Sequence, residues 1–169
     1  MPVWKIQSNR SNAESLAPTA GRVMDMAGRG SRVDMGPDTK GRDMIAVGED
    51  LEVRRSIKTG AIRVEDLGFW SKTTDIAPSL LRREEVLSKS MDAFATVGVD
   101  GRDSGSSSVE YFMQETVELQ EDGSERIIDD ETFPLAVRVS REHKLGNHPA
   151  WGPGASTTVT FGEEGDLVS

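Results

Sequence analysis

The amino-acid sequence predicts an α+β fold in which antiparallel sheets each pack against one helix. Two stretches, one ending near Gly28 and one near Gly98, place apolar residues at helical spacing. The stretches that follow them alternate or run in β-forming residues and are punctuated by Gly and Pro. Because this order occurs twice, two topologically similar halves are expected: strand, helix and hairpin over residues 1–70, then helix and antiparallel meander over residues 78–169. At 169 residues the halves fit one compact domain as readily as two small ones.

Each element has a local reason. Val3, Trp4 and Ile6 make a short first strand, with Pro2 at its start, where a missing amide donor is tolerated. Ser11 and Glu14 have the spacing of a capping box, so a helix follows with Leu16, Ala20, Val23 and Ala27 on one face. Pro18 removes a helical donor and predicts a kink, or a helix that begins there. Glycines and polar residues over 28–41 predict a loop, which lacks the Gly-x-x-x-x-Gly-Lys-Ser/Thr spacing of a phosphate cradle. Residues 44–47 and 51–57 are strands, and Lys58-Thr59-Gly60 turns the second of them back as a hairpin into residues 61–64.

Pro78 and Ser79 open the second helix, with Leu80, Leu87, Met91, Phe94 and Ala95 as its apolar stripe and Gly98 as its stop. Residues 100–108 predict a flexible loop, and its Asp100-Gly101-Arg102-Asp103 lacks the frame of a calcium site. Residues 109–119 form a long β-forming run, in which Tyr111, Met113, Glu115, Val117 and Leu119 are not read as one face. Glu121-Asp122-Gly123-Ser124 is a hairpin turn, Ile127 and Ile128 return, and the acidic run 129–131 is expected to break the ladder. Val137, Val139 and Arg141 alternate with Arg138 and Ser140, as Thr157, Val159 and Phe161 do with Thr158 and Thr160. Two neighbouring strands with one buried face each are therefore expected.

The formal charge of −9 and pI near 4.8 oppose a nucleic-acid binder, since phosphate contacts need a basic surface, and oppose attraction to anionic lipid. With 0 Cys there is no thiolate nucleophile, disulfide or cysteine zinc site. No apolar run approaches the roughly 20 residues of a membrane helix, and Met1-Pro2-Val3-Trp4-Lys5 does not open a signal peptide. A soluble chain of undetermined compartment is expected.

No strong catalytic motif is present, so candidate residues are weighed against ordinary structural roles. His143 and His148, with Glu142, have the residue types of a two-His, one-carboxylate metal site, but their spacing suits turn residues, and no metal or other cofactor is assigned. Asp129 and Asp130 could pair with a histidine for acid–base work, or form a solvated turn. Trp151, between Pro149 and Gly152-Pro153-Gly154, suits either an anchor for a partner or a plug at the sheet end. Asn147 and His148 flank it as binding candidates, and Trp70 is either a lid on the core or a ligand platform. Ser104, Ser106, Ser107 and Ser108 lack a Gly-x-Ser-x-Gly elbow and are read as linker.

Residues 145–155, Leu-Gly-Asn-His-Pro-Ala-Trp-Gly-Pro-Gly-Ala, are followed by the β run 157–161 and by Gly162-Glu163-Glu164-Gly165-Asp166-Leu167-Val168. This succession resembles the turn, β run and closing hairpin of propeptide-type domains of the PepSY and FTP group. Ala150 stands where a valine is usual. The resemblance implies a cystatin-like sheet curled around a helix and a role as chaperone, inhibitor or binding module for a peptidase. A non-enzymatic module binding a protein or peptide through a sheet edge or face is the expected function. A small enzyme with an acid–base pocket between helix and sheet is the alternative, and an assembly subunit, hence an oligomer, is a third reading.

Overall fold

The computed structural model describes residues 13–29, 34–48, 50–57, 61–71, 76–99, 104–150 and 155–169. The strand expected at Val3 to Ile6 and the capping Ser11 lie outside them. Two compact units emerge, one essentially of residues up to Ser71 and one essentially of residues beyond it.

In the first unit, helix α1 (Ala13–Met26) buries Leu16, Ala20, Val23 and Met24. These positions are four, seven and eight residues on from the first, which defines one helical face. Pro18 lies inside the helix rather than at its start, on the exposed side. There only the carbonyl one turn earlier loses its donor, and the ring meets solvent. Gly28 adopts φ +66 and ends α1, with Arg29 N donating to Met24 O at 2.9 Å and Gly28 N to Asp25 O at 3.1 Å. This is a Schellman closure, which satisfies carbonyls the helix leaves open.

The sheet of this unit is an antiparallel meander in the order β1 (Asp34–Pro37), β2 (Asp43–Gly48), β3 (Leu51–Ser56), β4 (Ile62–Asp66). The expected loop over 28–41 therefore contains a strand. Asp34 to Pro37 carry little β propensity and pair because β2 offers them an edge, Asp34 opposite Val47 through Pro37 opposite Met44. Met44, Ala46 and Gly48 alternate inward on β2, as do Leu51 and Val53 on β3. Buried Asp66 closes the unit: its Oδ2 accepts from Arg29 at 2.8 Å, and its Oδ1 accepts the amides of Gly68 at 2.9 Å and Phe69 at 3.0 Å.

The second unit repeats this plan seventy positions later. Helix α2 (Arg83–Thr96) buries Val86, Ser90, Ala93 and Phe94, each at the place of Leu16, Ala20, Val23 and Met24. Gly98, at φ +86, ends it as Gly28 ends α1, and Val99 N donates to Phe94 O at 2.9 Å. The expected stripe is thus corrected. Phe94 is buried, but Met91 and Ala95 are exposed, Leu87 is half-buried, and Leu80 precedes the helix, which begins at Arg83 rather than at Pro78.

Four strands follow: β5 (Ser104–Leu119), β6 (Glu125–Leu145), β7 (His148–Pro149) and β8 (Ser156–Phe161). Strand β6 is central, pairing β5 on one side and β8 on the other, both antiparallel. Val137 stands opposite Phe161, Val139 opposite Val159 and Arg141 opposite Thr157, as the alternation in both stretches predicts. A bridge from Phe161 to Leu167 stands where the first unit has β4. The likeness is topological: helix, then meander, with different residues in the equivalent places.

Three expectations change here. Ser104, Ser106, Ser107 and Ser108 belong to β5 rather than to a linker. The acidic run 129–131 does not end β6. It coincides with a register shift, since Thr116 faces Ile128 but Gln114 faces Phe133, leaving one residue of β5 against four of β6. That is a large irregular bulge, which raises local twist without breaking the strand. Finally, Tyr111, Met113, Glu115, Val117 and Leu119 do share one face: they lie two apart, and exposure alternates strictly from Tyr111 to Val117.

Candidate functional site

What the second unit has and the first does not is a long turn. Where β1 and β2 are joined by residues 38–42, β5 and β6 run on together past the end of β8. Strand β8 reaches only to Val137 of β6, opposite Tyr111 of β5. Beyond that point residues 112–119 and 125–136 form a two-stranded ribbon. At about 3.4 Å per residue it extends roughly 25 Å to its tip.

The tip is tightly built. Gly123 takes φ +81, Gln120 N donates to Ser124 O at 2.8 Å, and Gly123 N to Gln120 O at 2.9 Å. Asp122 accepts from the Ser124 hydroxyl at 2.6 Å and the Ser124 amide at 2.9 Å. Those two bonds, the hydroxyl first, hold the Asp122 carboxyl below its ordinary value.

The faces of the ribbon differ. Tyr111 stands opposite Val137, and Val137, Val139 and Arg141 form the face that α2 covers, with the Arg141 guanidinium 6.0 Å from the Phe94 ring. The same face continues along the ribbon through Met113, Val117 and Leu119, with Ile127 directly opposite Val117. Here no helix lies over it: these side chains are exposed by amounts from 45% at Val117 to 73% at Leu119. The reverse face carries Phe112, half-buried, with the Arg138 guanidinium 4.3 Å from its ring. A core face prolonged as an uncovered apolar stripe is the candidate site of this unit.

Composition around the stripe is one-sided. Residues 110–131 hold nine carboxylates and a single cation, Arg126, which leaves 20 carboxylates and 19 cations elsewhere in the chain. Glu115 lies between Met113 and Val117 on the uncovered face, and Glu125 stands opposite Leu119.

The residues singled out from the sequence are dispersed. His143 lies near the end of β6, half-buried, with Nε2 2.7 Å from the Thr157 hydroxyl. Asp129 and Asp130 lie at the bulge on the same strand, more than ten residues away, on the order of 40 Å at strand rise. One acid–base site cannot draw on both. The two histidines are nearer than their spacing suggests: the turn at Gly146, φ +62, sets Leu145 opposite His148, so His143 and His148 fall on one face of the β6–β7 hairpin. Glu142 falls on the other face, where it accepts from Ser106 at 2.9 Å. Among the described residues no three His, Asp or Glu side chains converge as a metal site.

Asn147 occupies that exposed turn, and His148 is exposed beside it. Trp151 lies outside the described residues. Trp70 is half exposed and meets Phe69 edge to face, ring centroids 4.9 Å apart, where the amide contacts of Asp66 orient the pair. Arg141 is the unusual buried group: its Nη1 donates to Met91 Sδ at 2.8 Å, its Nε has no partner, and among the described residues no carboxylate pairs with it.

Met113, Val117, Leu119 and Ile127 are not among the candidate residues singled out from the sequence. The signal was present in the shared parity of Val109, Tyr111 and the residues that follow. Compared with known proteins, the chain matches no family model, no curated protein and no solved structure.

Proposed function

We propose that this chain is a non-enzymatic binding module that takes up an extended segment of a protein or peptide partner on the uncovered face of the β5–β6 ribbon. The observation that carries this reading is the continuation of the α2-covered face into an exposed apolar stripe. A two-stranded ribbon gains little from such a stripe by itself, since isolated hairpins are marginal and exposed apolar groups contribute little packing. A partner strand laid against it would bury Met113, Val117, Leu119 and Ile127 together, and alternate side chains would supply specificity.

Kinship with propeptide-type domains belongs to the same proposal. It would make the partner a peptidase, and it rests on the succession of residues 145–168 with the helix and strand before them, and on the strand, helix and hairpin order of the first half. The acid–base reading has less support, because Asp129 and Asp130 lie toward one end of β6, whereas His143 lies near its other end and His148 beyond it on β7.

Selection of displayed random peptides on the immobilised chain tests the reading. Enriched peptides should lose binding to a Val117→Ser/Leu119→Ser/Ile127→Ser chain whose circular dichroism is unchanged. Peptides that bind both chains equally, or no enrichment, would end it.

A further inference from the structure

We infer that the segment taken up by the ribbon is cationic, with lysine or arginine among the apolar side chains on the side that meets the ribbon. This deepens the reading above and rests on it. Nearly the whole net charge of the chain, −9, resides in residues 110–131, where nine carboxylates face one cation. The rest of the molecule is close to neutral, so the ribbon is the one strongly polarised part of the sequence.

The placement of the carboxylates matters as much as their number. Glu115 interrupts the apolar stripe between Met113 and Val117, Glu125 borders its outer end opposite Leu119, and Glu121 and Asp122 crown the tip. A strand lying on this face would set its apolar side chains on Val117, Leu119 and Ile127 and would bring neighbouring groups close to Glu115 and Glu125. Like charge there is repelled and a neutral segment leaves the carboxylates uncompensated, whereas lysine or arginine meets them. Each exposed pair contributes little, but the summed field attracts a cationic segment before contact.

The same charge selects against other occupants. A second copy would bring nine carboxylates against nine. Nucleic acid and anionic lipid are repelled for the same reason. Carboxylates along β5, at Glu110, Glu115 and Glu118, also guard its open edge against pairing with another copy.

The test uses the full chain and three short synthetic peptides that mix valine with lysine, with threonine or with glutamate on one side of the extended segment, titrated by fluorescence anisotropy. The lysine peptide should bind about tenfold or more tighter than the threonine peptide, a difference of about 1.4 kcal/mol. That preference should fall severalfold as salt shortens the screening length, and the glutamate peptide should not bind. Glu115→Gln/Glu121→Gln/Glu125→Gln should remove the preference. Asp25→Asn/Asp34→Asn/Glu84→Gln, which changes charge equally away from the ribbon, should leave it. Equal binding of the lysine and threonine peptides, both lost in the Val117→Ser/Leu119→Ser/Ile127→Ser chain, would overturn the charge preference and spare the docking surface. Lysine-peptide binding indifferent to both ribbon variants would overturn both, as would concentration-dependent dimers that the serine variant abolishes.

Discussion

Val117 of β5 stands directly opposite Ile127 of β6, and both are about half exposed, whereas Val139 and Val159, paired on the same sheet, are buried. The two pairs are chemically alike and differ in whether α2 and a third strand accompany them. Substitution should therefore separate binding from stability. Val117→Ser with Ile127→Ser should cost no more than about 1 kcal/mol, the scale of an exposed cross-strand pair. Val139→Ala should cost about 2 kcal/mol through lost burial and an unfilled cavity. Denaturant unfolding of both chains, beside peptide titration, checks the contrast; comparable destabilisation would mean that the ribbon face is covered in solution.

Arg141 bears a charge beneath α2 without a carboxylate among the described residues. Taking a cation out of water is expensive unless it is paired. Arg141→Met, similar in length and apolar, should leave unfolding stability unchanged or raise it by about 1–3 kcal/mol. A loss of that size on thermal or chemical unfolding would show that the guanidinium is compensated by a group not identified here.

Asp66 gathers three donors: the Arg29 guanidinium and the amides of Gly68 and Phe69. Asp66→Ala leaves all three without that acceptor, in a partly buried place, and should destabilise the first unit by about 2–4 kcal/mol. Asp66→Asn keeps a carbonyl for the amides and should cost less. Hydrogen exchange at Gly68 and Phe69 should rise strongly in the alanine variant, and unchanged protection would count against this role.

Asp122 titrates below its ordinary 3.8 because Ser124 bonds its ionised form. A depressed folded value means that the turn's stabilisation is full above about pH 4 and is lost as pH falls through the folded value. Ser124→Ala should move the Asp122 titration upward, toward 3.8, in carboxyl carbon chemical shifts. A titration that stays where it was would assign the depression to something other than Ser124.

Although α2 begins at Arg83 rather than at Pro78, the existence of both helices, the stop at Gly98, the hairpin at Gly123 and the pairing of Val137 and Val139 with Phe161 and Val159 follow from local signals. Spacing, capping and alternation act within a few residues, so sequence alone determined them. Tertiary structure decided what covers each face. Exposed Met91 and buried Ser90 depart from the expected stripe, since the buried side of α2 runs through Val86, Ser90, Ala93 and Phe94. Asp34 to Pro37 became a strand because β2 had an open edge. His143 and His148 came to share a face through the turn at Gly146. Along β5, alternation groups Tyr111 with Met113, Val117 and Leu119, but only the length of β5 and β6 relative to α2 and β8 leaves the last three uncovered. Periodicity records which residues face the same way; burial is a relation between elements distant in the chain, and it exists only once they have packed.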